Sequence, residues 1–115
     1  MASIRSALAG DVPSILTLIR ALAAFEGEED AVVATEADLL RDGFGAAPRF
    51  RVLLAEDAGE ALGFALYFFT YSTWRGRPAL YLEDLFVLPQ HRKQGIGLSL
   101  MKRLAHNSLI TSKFI

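Results

Sequence analysis

The run YLEDLFVLPQHRKQGIGLSLMKRLA, from Tyr81 to Ala105, changes its periodicity within its own length. Its first part reads as a strand. Tyr81, Glu83, Leu85 and Val87 are predicted to point one way, and Leu82, Asp84, Phe86 and Leu88 the other. Both sets are apolar except at the central carboxylates, the pattern of an interior strand covered on both faces. The last part, from Gly95 to about His106, sets Ile96, Leu100, Met101 and Leu104 on one helical stripe. Between the two lies HRKQGIG, His91–Gly97, in which Gly95 and Gly97 follow the cations Arg92 and Lys93.

That junction has a definite chemistry. A helix N-terminus leaves backbone N–H groups unpaired and carries the positive end of the helix dipole, so it attracts anions. Gly95 and Gly97 have no side chain to hold a phosphate away from the backbone, and Arg92 and Lys93 add charge at the same place. The combination suits a pyrophosphate. A flexible turn with two solvated cations would use the same residues, and a lone G-x-G does not choose between the two. The preceding strand weighs on the side of function. Glu83 and Asp84 are adjacent carboxylates on a covered strand, and each needs a partner or water to offset its desolvation. A neighbouring cation would account for Asp84; Glu83 reads as functional.

Outward from this run, the chain is predicted to open with a strand at Ser3–Leu8. Asp11 is then expected to cap a helix carrying Ile15, Leu16, Leu18, Ile19 and Leu22, with Pro13 in its first turn. The acidic stretch EGEED, Glu26–Asp30, reads as a loop. Thr35 is expected to cap a second helix, ended by Gly43 and Gly45. Strands at Phe50–Glu56, Ala61–Trp74 and Ala79–Pro89, joined by turns at Asp57–Glu60 and Arg75–Pro78, make an antiparallel meander. The order is β-α-α-β-β-β-α, an α+β class in one domain over residues 1–115. Trp74 and the aromatics Tyr67, Phe68, Phe69 and Tyr71 are assigned to the core or to a dimer interface.

Composition narrows the functions. With 52% hydrophobic and 22% charged residues, the chain is a folded type, and its net charge of −1 gives no reason to expect a nucleic-acid or membrane-surface partner. No cysteine is present, which excludes disulfides, thiolate metal sites and cysteine nucleophiles. His91 and His106 lack the spacing of a metal site and read as surface residues, so no metal is expected. The apolar stretch Ala61–Trp74 is shorter than the roughly 20 residues of a membrane span. The N-terminus does not read as a signal peptide. A cytoplasmic protein is expected.

The quoted run resembles the acetyl-CoA motif of the GCN5-related N-acetyltransferase (GNAT) superfamily, whose R/Q-x-x-G-x-G/A signature matches Arg92-Lys93-Gln94-Gly95-Ile96-Gly97. Upstream, LIRALAAFE, TEADLLRDGFG, FALYFFTYSTWRGR and YLEDLFV look like the diamine (spermidine/spermine) acetyltransferase branch, and the likeness extends from Ser3 to about Ala105. The resemblance implies acetyl-CoA as co-substrate and transfer of its acetyl group to a primary amine of a small polyamine or diamine. It implies that the backbone of Leu85, Phe86 and Val87 flanks the pantetheine like an added strand and that Lys93 through Leu98 cradle the pyrophosphate, with Arg92 in the same cofactor set. Glu83 matches a glutamate that contacts the amine and helps remove its proton; Phe25 and Glu26 match an aromatic-acid pair at the polyamine site. These residue types suit the chemistry, because an alkylammonium ion cannot attack a thioester until it loses a proton. Backbone N–H groups near Leu85–Val87 would stabilise the oxyanion of acyl transfer.

The family domain normally continues beyond this helix into a strand, a helix and a closing hairpin, and supplies a tyrosine as general acid for the departing thiolate. No tyrosine follows Tyr81 here, and the tail NSLITSKFI differs from the expected continuation. A C-terminally incomplete, mostly antiparallel version of the fold is therefore expected, with SLITSKFI as a short substitute strand or a second chain covering the sheet edge. A homodimer would fit the family. Two alternatives stay open: an acetyltransferase for another amine (a lysine analogue, an aminoglycoside or a protein N-terminus), and a non-catalytic CoA-binding or dimerising remnant.

Overall fold

The computed structural model describes residues 2–106 and 110–112. The predicted order is present: β1 (Ser3–Ser6), α1 (Val12–Phe25), α2 (Glu36–Phe44), β2 (Arg51–Asp57), β3 (Glu60–Ser72), β4 (Arg77–Val87) and α3 (Ile96–Ala105). A short strand, β5 (Ile110–Ser112), follows. The strands lie in the order β1-β2-β3-β4-β5; the first four are antiparallel to their neighbours and β5 runs parallel to β4. The expected tail strand is thus present at Ile110–Ser112, while its flanks, 107–109 and 113–115, lie outside the described residues.

Strand alternation divides the interior into two layers. Val52 and Leu54 of β2 face α1 and α2, packing with Ile15, Leu16, Leu39 and Phe64; Leu53 and Ala55 face α3, packing with Leu80, Leu82, Ile96 and Leu100. Each large apolar side chain buried this way contributes about 1.5–3 kcal/mol, so the sheet is held from both sides. The outer part of the β3–β4 hairpin escapes this cover. Trp74 is 99% exposed and Phe69 and Tyr71 are also exposed, so these three do not join the core. Phe68 stacks on Tyr81 with ring centroids 5.0 Å apart.

The predicted alternation of β4 fails at one point. Leu66 pairs with Asp84 and Tyr67 with Leu82, leaving Glu83 as the extra residue of a β-bulge. A bulge shifts the pleat by one residue. Leu80 and Leu82 therefore lie on the α3 side, whereas Phe86 and Leu88 lie on the α1 side. Leu82 and Phe86, expected on one face, occupy opposite ones.

Both helix caps depart from, or refine, the sequence expectation. Asp11 stands at the N-cap of α1 but does not cap it with its side chain. Its carboxylate accepts instead from the Leu8 N–H at 2.7 Å and from Arg5. Arg5 also donates to Glu56, tying β1, the start of α1 and the end of β2 together. Thr35 caps α2 as expected: its hydroxyl accepts from the Asp38 N–H at 3.2 Å, and the Asp38 carboxylate accepts from the Thr35 N–H at 2.9 Å. Thr35→Ala is expected to cost about 1 kcal/mol, lowering Tm by about 4–8 °C in a thermal melt. Gly43 does not end α2; it lies within the helix under the Phe50 ring, where a Cβ would come within 2.5 Å of a ring carbon.

The Arg5 node makes one contribution to stability that depends on pH in the acid range. Hydrogen bonds from Arg5 hold the Asp11 carboxyl below the usual carboxylate range, against a smaller opposing push from burial, and Arg5 lowers Glu56 in the same way. The folded chain therefore binds fewer protons in acid than the unfolded one. This contribution is fully present above the unfolded carboxylate pKa of about 4 and is lost as pH falls through it toward the depressed folded values. Asp11→Asn is expected to lower stability at neutral pH and flatten its decline below about pH 4, measured as urea midpoints across the acid range.

Candidate active site

The chain must turn sharply between the end of β4 and the start of α3. It does so through a short 3₁₀ turn at Pro89–His91 and two residues of left-handed backbone, Lys93 (φ 68°) and Gly95 (φ 78°). Gly95 adopts this conformation without cost. Lys93, which has a Cβ, does so at about 1–2 kcal/mol. Gly95 is also the N-cap residue of α3 and offers no side chain to its first turn. The first intrahelical bond runs from the Ser99 N–H to the Gly95 carbonyl at 2.9 Å. The N–H groups of Ile96, Gly97 and Leu98 therefore point out of the helix end without intrahelical acceptors. A Cβ on Gly97 would meet only Val87 Cγ2, at 3.9 Å. The fold itself does not require glycine there, so the bare backbone leaves room for a group outside the chain.

This helix end faces an open length of β4. On the side away from β3, β5 pairs with β4 only at Leu80–Leu82. Among the described residues no strand follows the same edge beyond Leu82, and the bulge at Glu83 comes next. The space between is a cleft of about 410 Å³, walled by Leu85, Phe86 and Val87 on the strand, by His91, Arg92 and Lys93 in the loop, and by Gly95, Ile96 and Gly97 at the helix. The glycine-lined helix end, the cationic loop and the open strand edge together fit a long ligand with a pyrophosphate at one end and hydrogen-bonding groups along its length.

Most of the cofactor residues expected from the sequence line this cleft; Gln94 and Leu98 do not, although the Leu98 N–H belongs to the free helix end. Gln94 lines a separate depression with Ala2, Ile4 and Ser99, and the Leu98 side chain is exposed. His91, read from the sequence as a surface residue, is half-buried in the cleft wall with Nε2 3.7 Å from a Glu60 carboxylate oxygen. Nothing in the local pattern signals this, because Glu60 arrives from the β2–β3 turn. Among the described residues no group of three histidine, aspartate or glutamate side chains forms a metal site.

Arg92 links the two expected subsites. Its Nε donates to the Val87 carbonyl at 3.0 Å, and its guanidinium lies 4.4 Å from the centre of the Phe25 ring and 5.4 Å from that of Phe86. The two rings are 6.1 Å apart at 58°. Phe25 is the last residue of α1 and is 60% exposed; Glu26, the C-cap, is exposed beside it in the chain. Glu83 is half-buried at the bulge, two residues before the strand wall of the cleft.

The sequence profile of the acetyltransferase (GNAT) family matches residues 16–108. The chain belongs to this family. It is similar to the human spermidine/spermine N(1)-acetyltransferase-like protein 1, with 48% identity over 115 residues, covering 94% of this chain and 16% of that protein. It is also similar to the thialysine N-epsilon-acetyltransferase of Bos taurus, with 45% identity covering 92% of this chain and 66% of that one. The chain thus spans less than two thirds of the length of these curated relatives. Among solved structures, an aminoglycoside acetyltransferase from an uncultured soil metagenomic sample, in complex with sisomicin, superposes with a TM-score of 0.81. That match covers 97% of this chain and 76% of the other at 19% identity, and it speaks to the fold alone. No helix among the described residues is long and apolar enough to cross a membrane.

Proposed function

We propose that this chain is an acetyl-CoA-dependent N-acetyltransferase that acetylates a primary amine of a small polyamine or diamine. The observation that carries the proposal is the meeting of the uncapped, glycine-lined start of α3 with Leu85–Val87 of β4 across one cleft, on a strand edge that no strand among the described residues follows beyond Leu82. Lys93 and the backbone N–H groups of Ile96, Gly97 and Leu98 would hold the pyrophosphate. The backbone of Leu85–Val87 would bind the pantetheine as a strand binds a strand. Acetyl-CoA so held supplies an acetyl thioester. Glu83 takes the proton that the ammonium group must lose, directly or through a water, before the nitrogen lone pair can attack. Glu26 and Phe25 hold the rest of the cationic amine by charge and by the aromatic face. The names of the relatives support an amine as acceptor, and they divide between spermidine/spermine and thialysine.

A cytoplasmic homodimer completes the proposal. The exposed Phe69, Tyr71 and Trp74 at the outer β3–β4 hairpin support the dimer, which light scattering on the eluted protein would measure. The function is tested by incubating the chain with acetyl-CoA and spermidine, and in parallel with thialysine, following free thiol release and the acetylated product by mass spectrometry. Acetylated spermidine is the expected result. Acetylated thialysine alone would move the acceptor to a lysine analogue. CoA binding without either product would leave a CoA-binding module.

A further inference from the structure

We propose that Arg92 is a cationic plug of the amine subsite, withdrawn when the cofactor binds, so that acetyl-CoA uptake opens the place where the amine is held. The inference rests on the functional reading above and adds a coupling between its two subsites. Its basis is the position of one side chain. Arg92 leaves the cofactor loop, yet its guanidinium lies over Phe25, at 4.4 Å, and against Phe86, at 5.4 Å. These distances lie within the roughly 6 Å over which an aromatic face attracts a cation. An aromatic face in use by one cation is closed to another, and a polyamine approaching Phe25 and Glu26 would also meet the like charge of Arg92.

The loop supplies the release. Arg92 is exposed and is held by the ring contacts and by one hydrogen bond, from Nε to the Val87 carbonyl. That carbonyl belongs to the strand wall of the cleft. A pyrophosphate at the start of α3 offers the guanidinium an anionic, bidentate acceptor in place of one neutral carbonyl, only a few residues along the same loop. The cation moves from the weaker partner to the stronger one. Phe25 then faces an alkylammonium with no competing charge, and the Val87 carbonyl is free to accept a hydrogen bond from the ligand along β4. Because coupling between two sites is reciprocal, the amine must raise affinity for the cofactor by the same factor.

The test is calorimetric titration of the full chain with spermidine, alone and in the presence of saturating CoA, which binds like the substrate but cannot react. In the wild type, CoA is expected to raise spermidine affinity about tenfold, and spermidine to raise CoA affinity equally, a typical size for such coupling. Arg92→Gln, which removes the cation but keeps a side chain at this exposed position, is expected to bind spermidine without CoA as tightly as the wild type does with it. CoA should then add less than about twofold. Phe25→Leu should bind spermidine weakly in both states, with the coupling lost. Equal spermidine affinity with and without CoA in the wild type overturns the plug without recourse to any variant, and so does full coupling in Arg92→Gln. Either result leaves the cofactor reading standing as long as CoA binds. Failure of the wild type to bind CoA overturns that reading and the plug together. Failure of spermidine to bind even with CoA present overturns the plug and the polyamine acceptor.

Discussion

Replacing Gly97 with glutamate is expected to weaken CoA binding at least ~100-fold while leaving the fold as stable as before. The first half follows from position. Gly97 is the second residue of α3, in the first turn and in the wall of the cleft. A carboxylate there occupies the space in front of the free N–H groups and repels a phosphate. Losing two charge-assisted hydrogen bonds, at about 1.5–3 kcal/mol each, is enough for a hundredfold loss. The second half separates this result from simple unfolding. Gly97 has no positive φ, and its Cβ would make only an ordinary contact with Val87. Glutamate forms helix better than glycine by about 0.5–1 kcal/mol, and a negative charge in a first turn favours the helix dipole. The variant should therefore melt at or slightly above the wild-type Tm and still fail to bind. Calorimetry with CoA beside a thermal melt checks both halves. Unchanged CoA affinity in a folded variant would remove the pyrophosphate from this site.

The contrast between Gly97 and its neighbours shows which parts of the site can be read from sequence. The loop was legible because its requirements are local. A left-handed residue before a helix selects glycine, and Gly95 has φ of 78°. The Thr35 cap was legible for the same reason: both partners lie within one helical turn. The β4 bulge was not. Strict alternation assumes a regular partner, and the extra residue at Glu83 arises from how β4 meets Leu66 and Tyr67 of another strand. Asp11 was legible as the N-cap position of α1, but the loss of its carboxylate to Arg5 and the Leu8 N–H was not. Arg92 lines the cleft to which its motif assigns it, but the reach of its side chain to Phe25, brought beside it by the end of α1, has no local signal. The details not legible depend on contacts between segments far apart in the chain. The fold class did not, because two apolar faces on a meander and one apolar stripe per helix leave little choice of layers.

Glu83→Gln is expected to lower kcat for amine acetylation by about 10²–10⁴, the usual contribution of a positioned general base, with CoA affinity changed less than about twofold. The bulge is what makes this residue different from Asp84. As the extra residue of the bulge, Glu83 comes directly after the last β4 residue that β5 pairs, Leu82, and two residues before Leu85, the first strand residue of the cleft wall. Glutamine keeps the shape and loses the ability to accept a proton as a base. The amine must then arrive already neutral, and a primary amine with a pKa near 10.4 is almost wholly protonated at neutral pH. The variant's rate should consequently climb about tenfold per pH unit toward that value, so its deficit narrows in alkaline assays, whereas a merely structural loss would persist at every pH. Initial rates with spermidine from neutral pH upward, beside a CoA titration of the same sample, measure both signatures. A variant that turns over within about threefold of the wild type at neutral pH, less than a general base contributes, would assign proton removal to water or to another group and leave Glu83 as a residue that only shapes the bulge.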